Sequence, residues 1–354
     1  MAIIDIADIV NMLTDRLDAL CVAVLPRGRR EGHDWVEAST ARGGLGDSLK
    51  VCLNGARRGV FVHFANGNHA RGDALELIAY VMFNGDKKKA IAWAKSWLGL
   101  DSNDPARIKQ QRLKAAANQK KREAEFEEQV ERRKRGAKAL WLNASEKVIG
   151  SPVDFYLMGR GIGLSDLPKV PGSLRYAHSL KHPDGHLYPA MVAAIHTASG
   201  EFTGVHRTFL SKINDTTYKK AALGQQAKMV YGPYAGGFIP LSRGASGDKF
   251  KDGSDSVILC EGIEDGLSLA LALPQYRVLS CISVGNFQNI RLPQNMRHVV
   301  IAADNDAPDS AAGRALQAAV DRFIDEGRDV EVAHSPVGKD FNDCLVHHTK
   351  AGVA

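Results

Sequence analysis

The sequence predicts an α/β protein. A parallel sheet lies at the C-terminal end, preceded by a mixed α+β segment, a long charged helix and a small α+β domain at the N-terminus. Three observations predict this. From Ser256 onward, apolar runs suited to buried strands alternate with helical patterns, the rhythm of βαβ units and of a parallel sheet with helices on both faces. Two of those runs, 257–260 and 299–303, end in carboxylates: Glu261-Gly262 and Asp304-Asn305-Asp306. Between Pro105 and Lys147 there is no further Pro and no Gly before Gly136, so one helix fits the whole stretch, with Pro105 suited to its first turn.

In chain order, residues 1–100 open with an amphipathic segment (Ile4, Ile6, Ile9, Val10, Leu13) and continue through Gly-rich, strand-like pieces such as 60–64. Two helical patterns follow. Asp73 begins one with Leu75, Leu77, Ile78, Val81 and Met82 inward, and 87–98 carries Ile91, Trp93, Ala94 and Trp97, with Asn84-Gly85-Asp86 as the turn between them. Residues 101–150 form a charged helical linker. From Arg107 to Lys138 it holds twelve Lys or Arg against five Glu, which reads as a solvated face or as a basic strut along nucleic acid. Residues 151–250 alternate short strands with Gly and Pro turns up to Arg243, and the Gly-, Ser- and Asp-rich stretch 236–256 reads as a hinge. Residues 251–354 should give a strand at 257–260, a helix at 262–273, strands at 277–283 and 299–303, a helix at 310–326 and a last strand at 329–334.

Composition bounds the class. With 354 residues, 44% hydrophobic and 24% charged, the chain is long enough for two or three ordinary globular domains rather than a disordered or fibrous protein. A net charge of +6 permits a polyanionic partner without requiring one. The five cysteines are scattered without a CxxC pair; Cys260 and Cys281 sit in or beside apolar runs and read as buried thiols. Asp5 and Asp8 interrupt the apolar start, and no apolar run reaches the roughly 18 residues that cross a bilayer, so a cytoplasmic protein with no membrane partner is expected. No Gly-x-Ser-x-Gly elbow and no Gly-x-x-x-x-Gly-Lys-[Ser/Thr] loop occurs, so neither serine hydrolysis nor a helicase-type ATPase is expected.

The acidic strand ends carry the chemistry. Ligands of open parallel sheets bind at the carboxyl edge of the strands. Three acidic groups converging there repel one another unless a hard divalent cation such as Mg²⁺ joins them. As simple helix starters, acids would complement the N-terminal dipole; that accounts for Glu261 and Glu264 but leaves Asp304, Asp306 and Asp340 unexplained together. Glu261-Gly262, Asp304-x-Asp306 and the tail Gly338-Lys339-Asp340-Phe341-Asn342-Asp343 resemble the Toprim fold shared by DnaG-type primases, topoisomerases and some nucleases. Upstream, the strand Gly200 to Arg207, then Tyr218-Lys219-Lys220-Ala221, then Lys228-Met229-Val230-Tyr231-Gly232, is similar to the basic subdomain of DnaG-type primases. Arg binds phosphate through a bidentate fork and Lys acts as a point charge. The stretch from Gly59 to Gly67 and the following Gly72 to Ile78 are similar to the end of the primase zinc ribbon and its helix. Here the cysteines are missing, and His63 and His69 are too few for a closed site, so a degenerate ribbon without zinc is expected. Arg57, Arg58 and Arg71 there are candidates for gripping single-stranded DNA, or simply exposed arginines.

The resemblance implies a primase of the phage or plasmid (mobile-element) kind: a nucleotidyltransferase, DNA-directed, that builds short RNA primers on a single-stranded DNA template from ribonucleoside triphosphates. It implies Mg²⁺ or Mn²⁺ held by Asp304, Asp306 and Asp340, with Glu261 completing the metal site or acting as general base. Glu261, Asp304 and Asp306 are the catalytic candidates, and Arg207, Lys219, Lys220, Lys228 and Lys339 the template- and nucleotide-binding ones. A separate replicative helicase would be the protein partner. The rivals are a Toprim nuclease and a non-catalytic single-stranded-DNA-binding replication accessory protein. A topoisomerase fits least, since no nucleophilic Tyr domain is evident.

Overall fold

The structure, a computed structural model, describes residues 4–37, 48–64, 70–101, 104–245, 247 and 256–351. The chain forms two compact units, Met1–Gln129 and Val130–Ala354.

The first unit opens with α1 (Ile6–Asp15) and α2 (Leu17–Val24), followed by an antiparallel meander of β1 (Arg29–Glu31), β2 (Asp34–Glu37), β3 (Leu49–Cys52), β4 (Phe61–His63) and β5 (Ala70–Gly72). Helices α3 (Ala74–Met82) and α4 (Lys87–Trp97) come next, then the start of α5 (Pro105–Asn143). Helix α3 begins where expected because Asp73 and Glu76 form a capping box: Asp73 Oδ1 accepts from the Leu75 and Glu76 amides (2.8 and 2.9 Å), and Glu76 Oε2 accepts from the Asp73 amide (3.2 Å). Leu77, Ile78, Ile9, Leu13, Leu17 and Phe61 form its core. Met82 and Ile6, expected inward, are 41% and 53% exposed; both stand at helix ends, where the apolar stripe has turned off the core. The charged helix is not free in solvent over this part. Arg122 Nη1 and Asn118 Nδ2 lie 2.8 and 2.9 Å from Asp15 Oδ1, and Arg112 pairs with Asp8. His63 serves the core: its ring bonds to Tyr80 Oη (2.6 Å) and Ser48 Oγ (3.1 Å). Arg58 is consumed in the fold by the Thr14 and Leu53 carbonyls and Asp18, which removes it as a DNA-gripping candidate; Arg57 and Arg71 are exposed. His69 lies outside the described residues.

The second unit begins with the last turns of α5 and with α6 (Pro152–Met158), which Ser151 caps. An antiparallel sheet follows: β6 (Leu174–Lys181), β7 (Leu187–His196), β8 (Phe202–Asn214), β9 (Thr217–Lys220) and β10 (Lys228–Tyr231), ordered β10-β8-β7-β6 with β9 also paired to β8. Its two faces have different neighbours. Val192, Val205 and Tyr231 pack with Ala137, Leu140 and Trp141 of α5. Gly136 permits this approach, because a Cβ there would fall 2.4 Å from Tyr231 Oη. Met191, Ala193, Ile195 and Leu210, on the other face, join α6 and the next sheet in one core.

That next sheet holds β11 (Ile239–Arg243), β12 (Val257–Cys260), β13 (Arg277–Ser280), β14 (His298–Ala303) and β15 (Asp329–His334), in the order β11-β13-β12-β14-β15. Helices α7 (Ile263–Ala272), α8 (Val284–Phe287), α9 (Ala311–Asp325) and α10 (Phe341–Ala351) complete it. Strands β13, β12, β14 and β15 run parallel, as the βαβ rhythm predicts. Ile258, Cys260 and Val278 face Leu267 of α7, while Val257, Leu259, Val299 and Ile301 face Phe287 and Phe323. Burial on both faces is why these strands read as continuous apolar runs.

Two expectations need correction. Residues 239–243, read as part of a hinge, are β11, an edge strand antiparallel to β13 with a register shift between Pro240 and Ser242. The strand expected over 277–283 ends at Ser280, and the chain turns through Ile282 (φ 75°) into α8. The acidic tail leads into α10, which begins at Phe341. Among the described residues, no helix is long and apolar enough to cross a membrane, and all five cysteines are free, with Cys260 and Cys281 buried.

Candidate active site

The acidic residues meet because β12 and β14 are adjacent and in register, with Cys260 beside Ala302. Glu261 and Asp304 therefore leave the sheet at one edge. Helix α7 starts two residues after Glu261 and lies close on the sheet: a Cβ on Gly266 would stand 2.4 Å from Leu241 Cδ1 and 2.8 Å from Cys260 Sγ. This brings Asp265, in the helix's first turn, to the same edge. Asn305 ties the loops together, its Nδ2 donating to the Ser335 and Gly338 carbonyls (2.9 Å each) and its amide to Lys339 O (2.9 Å). Asp340 caps α10 by accepting the Asp343 amide (2.8 Å). Fully buried Asn342 clamps that helix to α7: its Nδ2 donates to Arg160 O (2.9 Å) and Ser268 Oγ (3.0 Å), and its amide to Asp265 Oδ1 (3.1 Å).

Electrostatics couples these groups. Burial raises Glu261 above the usual carboxylate range, and the charges of Asp304 and Asp306 raise it further. Asp304 is raised by burial and then by Asp340. Asp265 is pushed up to about 7, by burial first, then Asp340, against the opposing Asn342 amide. Lys339 lowers both Glu261 and Asp304, and its Nζ stands 3.9 Å from Asp306 Oδ1. Beside them Ile282, a β-branched residue at φ 75°, donates its amide to Glu261 O (3.0 Å) in a conformation that costs about 1–3 kcal/mol. Among the described residues, no three His, Cys, Asp or Glu side chains stand as a ready metal-binding group. The donor set nonetheless consists of hard carboxylate oxygens under mutual repulsion, which a divalent cation relieves.

The basic candidates divide. Arg207 shares a sheet face with its ladder partners Val192 and Met229, and its guanidinium lies over the Tyr231 and Phe209 rings (5.5 and 5.7 Å). Lys228 pairs with Thr208, one residue along β8, and so points from the opposite face. By the same alternation Lys220, opposite Leu210, shares the face of Lys228, and Lys219, opposite Ser211, shares that of Arg207; both lysines are exposed. The Lys228 ammonium is 2.9 Å from Glu264 Oε2, and Tyr156 donates to Glu264 Oε1 (2.6 Å). Burial alone would raise Glu264, but Lys228 and these hydrogen bonds overcome it and pull it down to about 2. His206, buried beside them, is lowered to about 4 by burial and by Lys228, so it is neutral near pH 7.

The structure thus gathers Glu261, Asp304, Asp306, Asp340 and Lys339 at one edge, with Lys228 close enough for its charge to lower Asp304. It does not bring Arg207 or Lys219 to that face. Sequence reasoning missed Asp265. The available signal was its place one turn into the helix after Glu261-Gly262, where a helix N-terminus returns side chains to the strand edge. A separate cavity of about 640 Å³ runs along β11, between Pro171, Ser173, His196 and Arg243, and none of the predicted site residues lines it.

Residues 256–351 match the family described as Toprim domain, and residues 131–241 match a domain of unknown function (DUF7146). No curated protein matches the chain. Among solved structures it is similar to the Aquifex aeolicus primase (zinc-binding and RNA polymerase domains), at 16% identity over 98% of this chain and 83% of that one, with a TM-score of 0.36. It is also similar to the E. coli primase catalytic core (14% identity, 60% of this chain and 74% of that one, TM-score 0.38). A third likeness is to the primase fragment of the bacteriophage T7 primase-helicase protein (16% identity, 56% and 72%, TM-score 0.32). Residues 256–351 of this mixed α/β chain are a Toprim domain.

Proposed function

We propose that the chain is a metal-dependent, primase-like nucleotidyltransferase, of the kind carried by phages and plasmids, that makes short RNA primers on single-stranded DNA. One observation carries the reading: a lysine from a neighbouring antiparallel sheet, Lys228, reaches the first turn of α7, its ammonium 2.9 Å from Oε2 of Glu264, which lies three residues along the chain from Glu261 at the acidic edge of the Toprim domain. Carboxylates alone suit cutting or joining of phosphodiesters. Carboxylates facing an ammonium on a separate module suit holding a triphosphate between them.

In this reading Glu261, Asp304, Asp306 and Asp340, with Asp265 added, would hold Mg²⁺ or Mn²⁺. The bound cation would neutralise the triphosphate and favour ionisation of the primer 3′-hydroxyl. The 3′-oxygen bonds to the α-phosphorus of the incoming ribonucleotide as the bond to pyrophosphate breaks. Glu261, whose proton affinity is raised by burial and by Asp304, is suited to take the hydroxyl proton. Lys228 and Lys339 would place positive charge on the phosphates, and Lys220 shares the Lys228 face. Arg207 and Lys219 would contact template only along the other face of their sheet. A separate replicative helicase remains the proposed protein partner.

The test is incubation with single-stranded DNA, Mg²⁺ or Mn²⁺ and labelled ribonucleotides. New short RNA, lost in Asp304→Ala without loss of folded structure by circular dichroism, supports the reading. Shortened DNA would replace it with a Toprim nuclease, and a gel shift with neither product would leave a DNA-binding accessory protein.

A further inference from the structure

Glu264 has no role in the chemistry above, yet it is the most deeply buried acid near it. Its side chain is 4% exposed, whereas that of its partner Lys228 is 38% exposed. The two carboxylate oxygens are separately engaged: Oε1 takes the Tyr156 hydroxyl (2.6 Å) and Oε2 takes the Lys228 ammonium (2.9 Å). The carboxylate cannot reach substrate, but the ammonium can. An ammonium has three N–H donors, and Glu264 takes one of them.

Stability is a weak reason for this pair. The surroundings are apolar, with Leu210, Ile263, Leu267 and Leu157 in the same core. Replacing a buried ion pair with well-packed apolar residues is often neutral or stabilising. The face is polar beyond the pair. His206 (9% exposed) and Thr208 (0% exposed) lie on the same side of β8, and Thr208 pairs directly with Lys228. His206 Nδ1 and Thr208 Oγ1 are buried with no hydrogen-bond partner among the described residues, so neither competes with Glu264 for the Lys228 ammonium.

We propose that Glu264 is a positioning residue, itself held by the Tyr156 hydroxyl, that brackets the Lys228 ammonium from its buried side, leaving its free donors for the triphosphate of an incoming ribonucleotide at the carboxylate edge. The inference rests on the nucleotidyltransferase reading. A free lysine side chain loses rotamer freedom when it is fixed. The bracket takes that loss during folding, so it is not charged against binding.

The experiment compares wild type, Lys228→Ala, Glu264→Leu, Glu264→Gln and Tyr156→Phe by thermal unfolding, by equilibrium binding of fluorescently labelled ATP with Mg²⁺, and by KM and kcat for primer synthesis. Lys228→Ala should weaken nucleotide binding about tenfold or more, the scale of a lost charge-assisted contact. Glu264→Leu should raise Kd and KM about fivefold with kcat little changed, the scale of lost preorganisation. Glu264→Gln, whose single amide oxygen can still accept from the Lys228 ammonium while its NH2 group turns to the Tyr156 hydroxyl oxygen, should recover part of that affinity. A purely structural role would move the unfolding temperature alone. Glu264→Leu that folds and binds ATP as wild type does overturns the inference, and so does tighter binding, because Glu264 would then be competing with phosphate for Lys228. If Glu264→Leu does not fold, Tyr156→Phe decides: a rise of about twofold to threefold in Kd supports the bracket and an unchanged Kd refutes it. Wild-type protein that binds no ATP and makes no primer refutes the nucleotidyltransferase reading, and the bracket with it.

Discussion

Replacing Asp265 with Asn should make the metal-free protein more stable, although the side chain lies at the heart of the acidic edge. Asp265 is raised from 3.8 to about 7, chiefly by burial and by Asp340. At about 1.4 kcal/mol for each tenfold change in proton affinity, the ionised form carries a native-state penalty of about 4 kcal/mol. Asp265 is only partly buried, and solvent relaxation leaves about 2 kcal/mol of that as a realistic gain. Asn keeps an oxygen for the Asn342 amide, so the clamp to α10 survives. The sign follows from proton linkage. Between about pH 4 and pH 7 the folded protein keeps a proton that the unfolded chain has released, so wild-type stability falls as pH rises through that window. Asn has no such slope. In EDTA, thermal unfolding of Asp265→Asn and wild type should coincide near pH 4 and separate by about 5 °C at pH 8, with the variant higher. A variant no more stable than wild type at pH 8 would refute the mutual repulsion on which the metal assignment rests.

Three further outcomes follow from the same geometry. Millimolar Mg²⁺ should raise the wild-type unfolding temperature at pH 8 and raise that of Asp304→Asn much less, since binding stabilises only the state that holds the ion; equal shifts would place the cation elsewhere. Glu264, pulled down to about 2, contributes stability that is complete above about pH 4.5 and is lost as pH falls toward 2. Acid unfolding of Glu264→Gln should therefore be flatter below pH 4.5, and parallel curves would deny the pair its strength. Gly266→Ala should cost about 1–3 kcal/mol in urea unfolding, because the added methyl meets Leu241 and Cys260; a neutral substitution would mean that α7 is not held tightly to the sheet.

The sheet that carries the acids was legible because its central strands are buried on both faces and so spell unbroken apolar words ending in Glu261 and Asp304. The acidic edge followed from that. Strand β11 was not legible, because an edge strand with Pro240 and a register shift has the broken pattern of a connection. Residues 277–283 read as one strand because apolar content continues past Ser280, where only the backbone at Ile282 changes direction. The division of the basic residues was hidden for a different reason. Whether Arg207 and Lys228 share a face depends on the pairing of β8 with β10, and no local pattern fixes that register. Asp265 escaped notice because its importance comes from Asp340, 75 positions away in the chain.

Strand β11 also limits how this protein can be taken apart. It precedes the Toprim domain in sequence, yet its hydrogen bonds belong to the Toprim sheet. A fragment beginning at residue 251 would leave one side of β13 unpaired, with apolar Val278 and Leu279 at an open edge ready to recruit a foreign strand. Such a fragment is expected to aggregate where one beginning before Ile239 stays dispersed. Recombination that exchanges the acidic module between proteins would have to carry β11 with it.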